Sequence, residues 1–318
     1  MTEGIANELP KNRDEPFAQC KKQCKKSAAS YSALMFNLVD TKIPSAVEAE
    51  AAAIYTELFP HGNLALVHQA FEWAGQCFGG KFDGYQAIDS LYHDFEHTLQ
   101  GTLCLVRLLR GRHLTNASPV ISQRMFELAL VGILFHDTGY LKTTGDTEGT
   151  GAKYTAIHVA RSGVFAEKFL TMKGWAKSDI AAVRHMIRCT GVNVSIATIA
   201  FQSAEERLAG FALATADLLG QMAAENYVER LPDLYAEFEE AARFDAGSSP
   251  RAFKFESAVD MMRKSSGFWQ FYVLPKITND FEGIFSYLND PYPDGPNEYV
   301  LRIERNLARL GQKLEGAK

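Results

Sequence analysis

From about residue 31 onward, apolar side chains recur at three- and four-residue intervals along almost the whole chain, and no run of Val, Ile and Thr alternates long enough to make a sheet. This pattern predicts an all-α fold, a helical bundle. Ala87–Leu109 places Ile88, Leu91, Tyr92, Phe95, Leu99, Leu103 and Val106 at roughly helical spacing. Ser122–Phe135 contains LALVGILF, a helix buried on most sides, with Gly139 as its stop. Further helices are predicted at 155–172, 178–189, 204–224, 231–242, 252–264, 266–287 and 297–313. Residues 1–30 are polar and read as a loose arm, whereas 31–318 read as one domain with a core at about 86–224 and a C-terminal helical part at about 225–318. Turn residues cluster at 143–153, where the loop is expected to form a mobile rim, and again at 191–195, 245–250 and 289–296.

A chain of 318 residues that is 47% hydrophobic can bury a large core, which excludes wholesale disorder. Its 33 Lys and Arg against 38 Asp and Glu give a net charge of −5, so a broad nucleic-acid-binding face is not expected. The N-terminal residues lack the apolar stretch of a secretory signal, and no run approaches the ~18 apolar residues of a membrane span. The expectation is a soluble, cytoplasmic protein. Five scattered cysteines suit free thiols in a reducing compartment. Cys20 and Cys24 lie among Lys21, Lys22, Lys25 and Lys26 and read as a solvated tail segment, because a zinc site needs two more ligands nearby.

Six metal-ligating residues sit in helical, mostly apolar surroundings: His97, His136, Asp137, His158, His185 and Asp217. Burying Asp137 after ILFH, or Asp217 within FALATADLLG, costs several kcal/mol unless a cation or hydrogen bonds compensate. Imidazole and carboxylate together suit Zn, Fe or Mn better than calcium, and six ligands suffice for two metals sharing one bridging carboxylate. Ligands on separate helices converge naturally inside a bundle. His136 and Asp137 point about 100° apart on an ideal helix, so they share a centre more easily if the helix ends there.

The order His97, His136-Asp137, Asp217 resembles the H…HD…D signature of the HD-domain superfamily of metal-dependent phosphohydrolases. YHDFEHT at 92–98 resembles the YHNxxHA segment of its cyclic nucleotide phosphodiesterase branch, with Asp94 in place of the asparagine. LFHDTGYLK at 134–142 is typical of HD domains, although the histidine and asparagine that follow HD in the phosphodiesterases are missing. His158 in HVARSG and His185 in RHMIRCT resemble the additional histidines of binuclear members. GFWQFYVLP at 267–275 is similar to the phosphodiesterase helix that clamps a purine, which places Phe268 at the clamp and Ser265 where those enzymes carry a base-recognising glutamine. Trp269, Phe271 and Tyr272 read as an aromatic stripe packed in the core.

The resemblance implies hydrolysis of a small phosphate ester, a nucleotide or cyclic nucleotide, at two divalent ions (Fe, Mn, Zn or Mg) bridged by Asp137. His93, one predicted helical turn before His97, would be the general acid. Lys142, next to the metal segment, and Arg188, three residues after His185, are candidates for holding a phosphate. The same ligand pattern also resembles the di-iron oxygenases of the superfamily, which act on polyols or phosphonates, and ligands alone do not separate the two. A homodimer is compatible with either reading.

Overall fold

Ten α-helices account for most of residues 39–244 and 255–316, the part of the chain that the computed structural model describes. The arm at 1–30 with Cys20 and Cys24, and the turn cluster at 245–250, lie outside the described residues. Among those described, no strand forms beyond two isolated bridges, so the fold is all-α as expected. No helix is long and apolar enough to cross a membrane.

The order is α1 (Pro44–Leu58), α2 (Leu64–Phe78), α3 (Phe95–Leu114), α4 (Gln123–Phe135), α5 (His158–Met172), α6 (Lys177–Arg188), α7 (Ala204–Met222), α8 (Tyr227–Phe244), α9 (Ala258–Phe268) and α10 (Glu298–Glu315). Side-chain oxygens cap several starts: Ser122 accepts from Met125 N, Ser203 from Glu206 N, Ser257 from Asp260 N and Asn297 from Val300 N. α4 is buried from Phe126 to Phe135, and α7 is buried through Phe211–Asp217. α3 and α7 form the most extensive helix pair. They approach so closely that a Cβ on Gly220 would lie 2.6 Å from Gln100 O, which leaves no space for any side chain there.

Three expectations need correction. The helix predicted from Ala87 begins only at Phe95, because the Asp94 carboxylate accepts from His97 N at 2.9 Å and caps the helix there. Residues 86–94 form an irregular strap instead, and His93 lies on it, outside any helix. The predicted helix at 266–287 is broken: π-helical turns at Trp269–Val273 and Lys276–Asp280 flank Pro275, which has no N–H to donate, and Gly283 at φ +67 then starts a 3-10 turn at Ile284–Leu288. The 143–153 loop is a pinned wall rather than a mobile rim. Gln86 Nε2 donates to Thr143 O at 2.7 Å and Asp146 O at 2.6 Å, and the Glu240 carboxylate accepts from both Thr150 N and Thr150 Oγ1. Lys153 and Tyr154 both bond Asp146.

The described residues on either side of 245–254 do not form separate lobes. α9 packs on α8 and α10, and the described residues cluster as one compact unit.

Candidate metal centre

Asp217 comes from the middle of α7, His97 from the first turn of α3, and the His136-Asp137 pair from the end of α4. His136 is the C-cap of α4, and Asp137 has already left helical geometry at φ −107, ψ 9. The helix ends where the pair must converge. Gly139 makes this possible, because α5 begins so close that a Cβ on residue 139 would lie 2.0 Å from His158 O.

Four atoms meet in the core. His97 Nε2 lies 3.2 Å from Asp137 Oδ2 and 3.3 Å from Asp217 Oδ1, and His136 Nε2 lies 3.1 and 3.3 Å from the same two oxygens. Around a metal at about 2.1 Å from each ligand, neighbouring ligand atoms stand about 3.0–3.4 Å apart. All four residues are 1–9% exposed. His136 Nε2, Asp137 Oδ2 and Asp217 Oδ1 are buried without a hydrogen bond despite these short separations. Donor atoms that face one another without bonding are what a central cation would satisfy.

The electrostatics of the set point the same way. Burial works against charge on His97 and His136, yet Asp137 and Asp217 outweigh it, pushing His97 up to about 9 and His136 well above the ordinary imidazole value. Burial would raise both carboxyl groups, but the His136 charge and the His97 and His136 contacts hold them well below the usual carboxylate range. Two acids kept ionised in an apolar core constitute a site built for positive charge.

Asp137 offers its other oxygen, Oδ1, to His158 Nε2 at 3.7 Å. Asp137 thus faces histidines through both carboxylate oxygens. His185 is not joined to the four: its Nδ1 donates to Glu206 Oε1 at 2.6 Å, and neither Asp137 nor Asp217 forms an ion pair with it among the described residues. The ring orientations share one logic. His136 Nδ1 donates to Ile133 O and His158 Nδ1 to Thr155 O, each at 2.7 Å, which turns Nε2 of each ring toward Asp137.

His93 stands beside the centre, where one of its ring nitrogens groups with His97 and Asp137. Its Nδ1 donates to Glu237 Oε2 at 2.5 Å, and Glu237 Oε1 accepts from the backbone N–H groups of Tyr92 and His93. Tyr140 stacks on His93 at 4.5 Å and on His158 at 4.7 Å between ring centres, a floor under both imidazoles. Arg230 holds the other side of the strap, donating to Leu91 O, Tyr92 O and Asp94 Oδ2. Sequence reasoning missed Glu237, Arg230 and Glu206. Glu237 lies one helical turn before the buried Ala241 on α8, but among Asp233, Glu239 and Glu240 no apolar surroundings single it out as they do Asp217.

Two of the assigned roles, those of Lys142 and Ser265, do not fit the structure. Lys142 is buried, paired with Asp89 Oδ2 at 2.7 Å and donating to Gly149 O at 2.7 Å, so its ammonium secures the wall loop and is not free for a phosphate. Ser265 is buried and donates to Met261 O one turn back, so it faces the core rather than a ligand. In the aromatic stripe Trp269 is buried as expected, but Phe271 is 82% exposed. Phe268 is 42% exposed and stacked on Tyr272 at 5.0 Å. Arg188 reaches only Thr198 Oγ1, at 3.5 Å.

The profile of one family, described as Npun_R2479-like, matches residues 67–149 and 144–289. The chain belongs to this family. The matched stretch contains every residue of the centre, together with the strap and α8 that hold His93. The family's description names no reaction, and no curated protein matches the chain.

Proposed function

We propose that this member of the family is a metal-dependent phosphohydrolase of the HD type, acting on a phosphate ester at a binuclear site. The observation that supports it most is the set of four buried donor atoms from His97, His136, Asp137 and Asp217, three of them without a hydrogen bond. Divalent metal bound there supplies Lewis acidity to a phosphoryl oxygen and a water acidic enough to attack at neutral pH. His158, turned to the far oxygen of Asp137, is positioned to hold a second ion.

The chain's own groups supply the remainder. Glu237 fixes the His93 ring by accepting from Nδ1, and Tyr140 fixes its plane, so the other nitrogen is free to donate a proton to a leaving oxygen. Glu237 is itself suited to this role: burial would raise its carboxyl, but His93 and the two strap N–H groups hold it below the usual range, so it remains an ionised acceptor. Phe268, exposed and stacked on the half-buried Tyr272, offers an aromatic face to a nucleotide base. Arg188, with no ion pair among the described residues, offers its charge to a phosphate.

Metal analysis of protein purified without chelator, followed by a panel of phosphomonoesters and linear and cyclic phosphodiesters, tests the proposal. Two equivalents of divalent metal and metal-dependent release of phosphate or nucleotide are expected. Bound iron with oxygen uptake and no hydrolysis would replace the proposal with the di-iron oxygenase reading.

A further inference from the structure

We infer that a single water molecule held between His97 and Arg230 is a fixed part of this centre, joining a metal-ligating imidazole to α8. The inference rests on the metal-centre reading but not on the reaction.

His97 differs from the other four imidazoles around the site. His93, His136, His158 and His185 each have Nδ1 bonded, to Glu237, Ile133 O, Thr155 O and Glu206. His97 Nδ1 is buried with no hydrogen-bond partner, in a residue 4% exposed. Its Nε2 faces the two carboxylates. Once that nitrogen gives its lone pair to a metal, Nδ1 must carry the ring proton. An unmet donor of this kind in the core costs about 1–3 kcal/mol.

His97 lines a cavity of about 10 Å³, shared with Tyr92, Gln100, Gln221, Asn226 and Arg230. That is room for one water among polar partners. Arg230, which lines the same cavity, holds a second unmet donor: its Nε has no hydrogen bond, and Asp233 lies 3.4 Å away without bonding geometry. The hydrogen bonds that Arg230 makes use its terminal nitrogens, on Leu91 O, Tyr92 O, Asp94 and Glu96. One water oxygen can accept from His97 Nδ1–H and Arg230 Nε–H. Its two hydrogens can go to the amide oxygens of Gln100 and Gln221, and Gln221 Oε1, which already accepts from the Tyr92 hydroxyl at 3.0 Å, has a lone pair left. Two unmet donors on residues that line the space disfavour a cation, and its small size disfavours a halide.

The first test is a high-resolution crystal structure of the metal-loaded protein. A peak within about 2.7–3.2 Å of both His97 Nδ1 and Arg230 Nε is expected. It should show no anomalous signal after a bromide soak. An empty cavity, or bromide within it, overturns the inference. The second test fills the space without altering a polar group: Ala224→Val, at a residue lining the cavity. Equilibrium dialysis with zinc or manganese should show affinity weakened by ~10–100-fold, as when an outer partner of a ligating histidine is lost. Unchanged affinity in a folded variant counts against the water, and if Ala224→Val does not fold, the wild-type density decides. Protein that binds metal and shows this water but hydrolyses nothing would remove the phosphohydrolase proposal and leave the inference standing.

Discussion

A carboxylate in an apolar core must be matched by positive charge, and among the described residues Asp217 and Asp137 face imidazoles whose short contacts leave Asp217 Oδ1 and Asp137 Oδ2 without a hydrogen bond. Asp217→Ala and Asp137→Ala are therefore expected to abolish metal uptake, measured by metal content after gel filtration. His93→Ala should keep its metal and, on any substrate the panel identifies, lower kcat by roughly 10²–10⁴-fold. Parallel loss of metal and turnover would make His93 a ligand instead. These residues were legible because His and Asp are conspicuous in apolar surroundings. The roles of Lys142 and Ser265 were not, since their partners include the backbone carbonyls of Gly149 and Met261, and which carbonyl lies nearby is decided by the fold. Asp94 was legible only as a departure from a motif, whereas its actual work is to cap α3 and set the register of His97.

At the scale of elements, the approach of α3 to α7 brings His97 to Asp217, and Gly220 permits that approach. Gly220→Ala should cost about 1–3 kcal/mol by overpacking, visible as a lower denaturant midpoint, and should weaken metal binding in the same variant. Ser203→Ala removes the cap of α7 and should cost about 0.5–2 kcal/mol, with metal affinity largely kept because Asp217 lies several turns away. Helical periodicity located α4 through α7 to within a few residues. It failed at the strap, where apolar Ile88, Leu91 and Tyr92 fall at helical intervals but Glu237 and Arg230 hold the chain in an irregular course. It failed again beyond Phe268, where Pro275 removes a donor from an otherwise helical pattern.

For the molecule as a whole, the centre draws on α3, α4, α5 and α7, with α8 behind it, so metal should stabilise the entire fold. Dialysis against a chelator is expected to lower Tm, and adding back metal at 100 times its Kd should restore about 2.7 kcal/mol. A Tm indifferent to metal would mean that the four donors do not form a working site. Glu237 lies 144 positions after the His93 that it orients. A chain emerging from the ribosome therefore exposes the whole set of candidate ligands before α8 exists to brace the strap. During synthesis the contact of Glu237 with His93 is completed late, after every candidate ligand has been made, so under the proposed function a half-made chain would hold its ligands before its proton donor is braced.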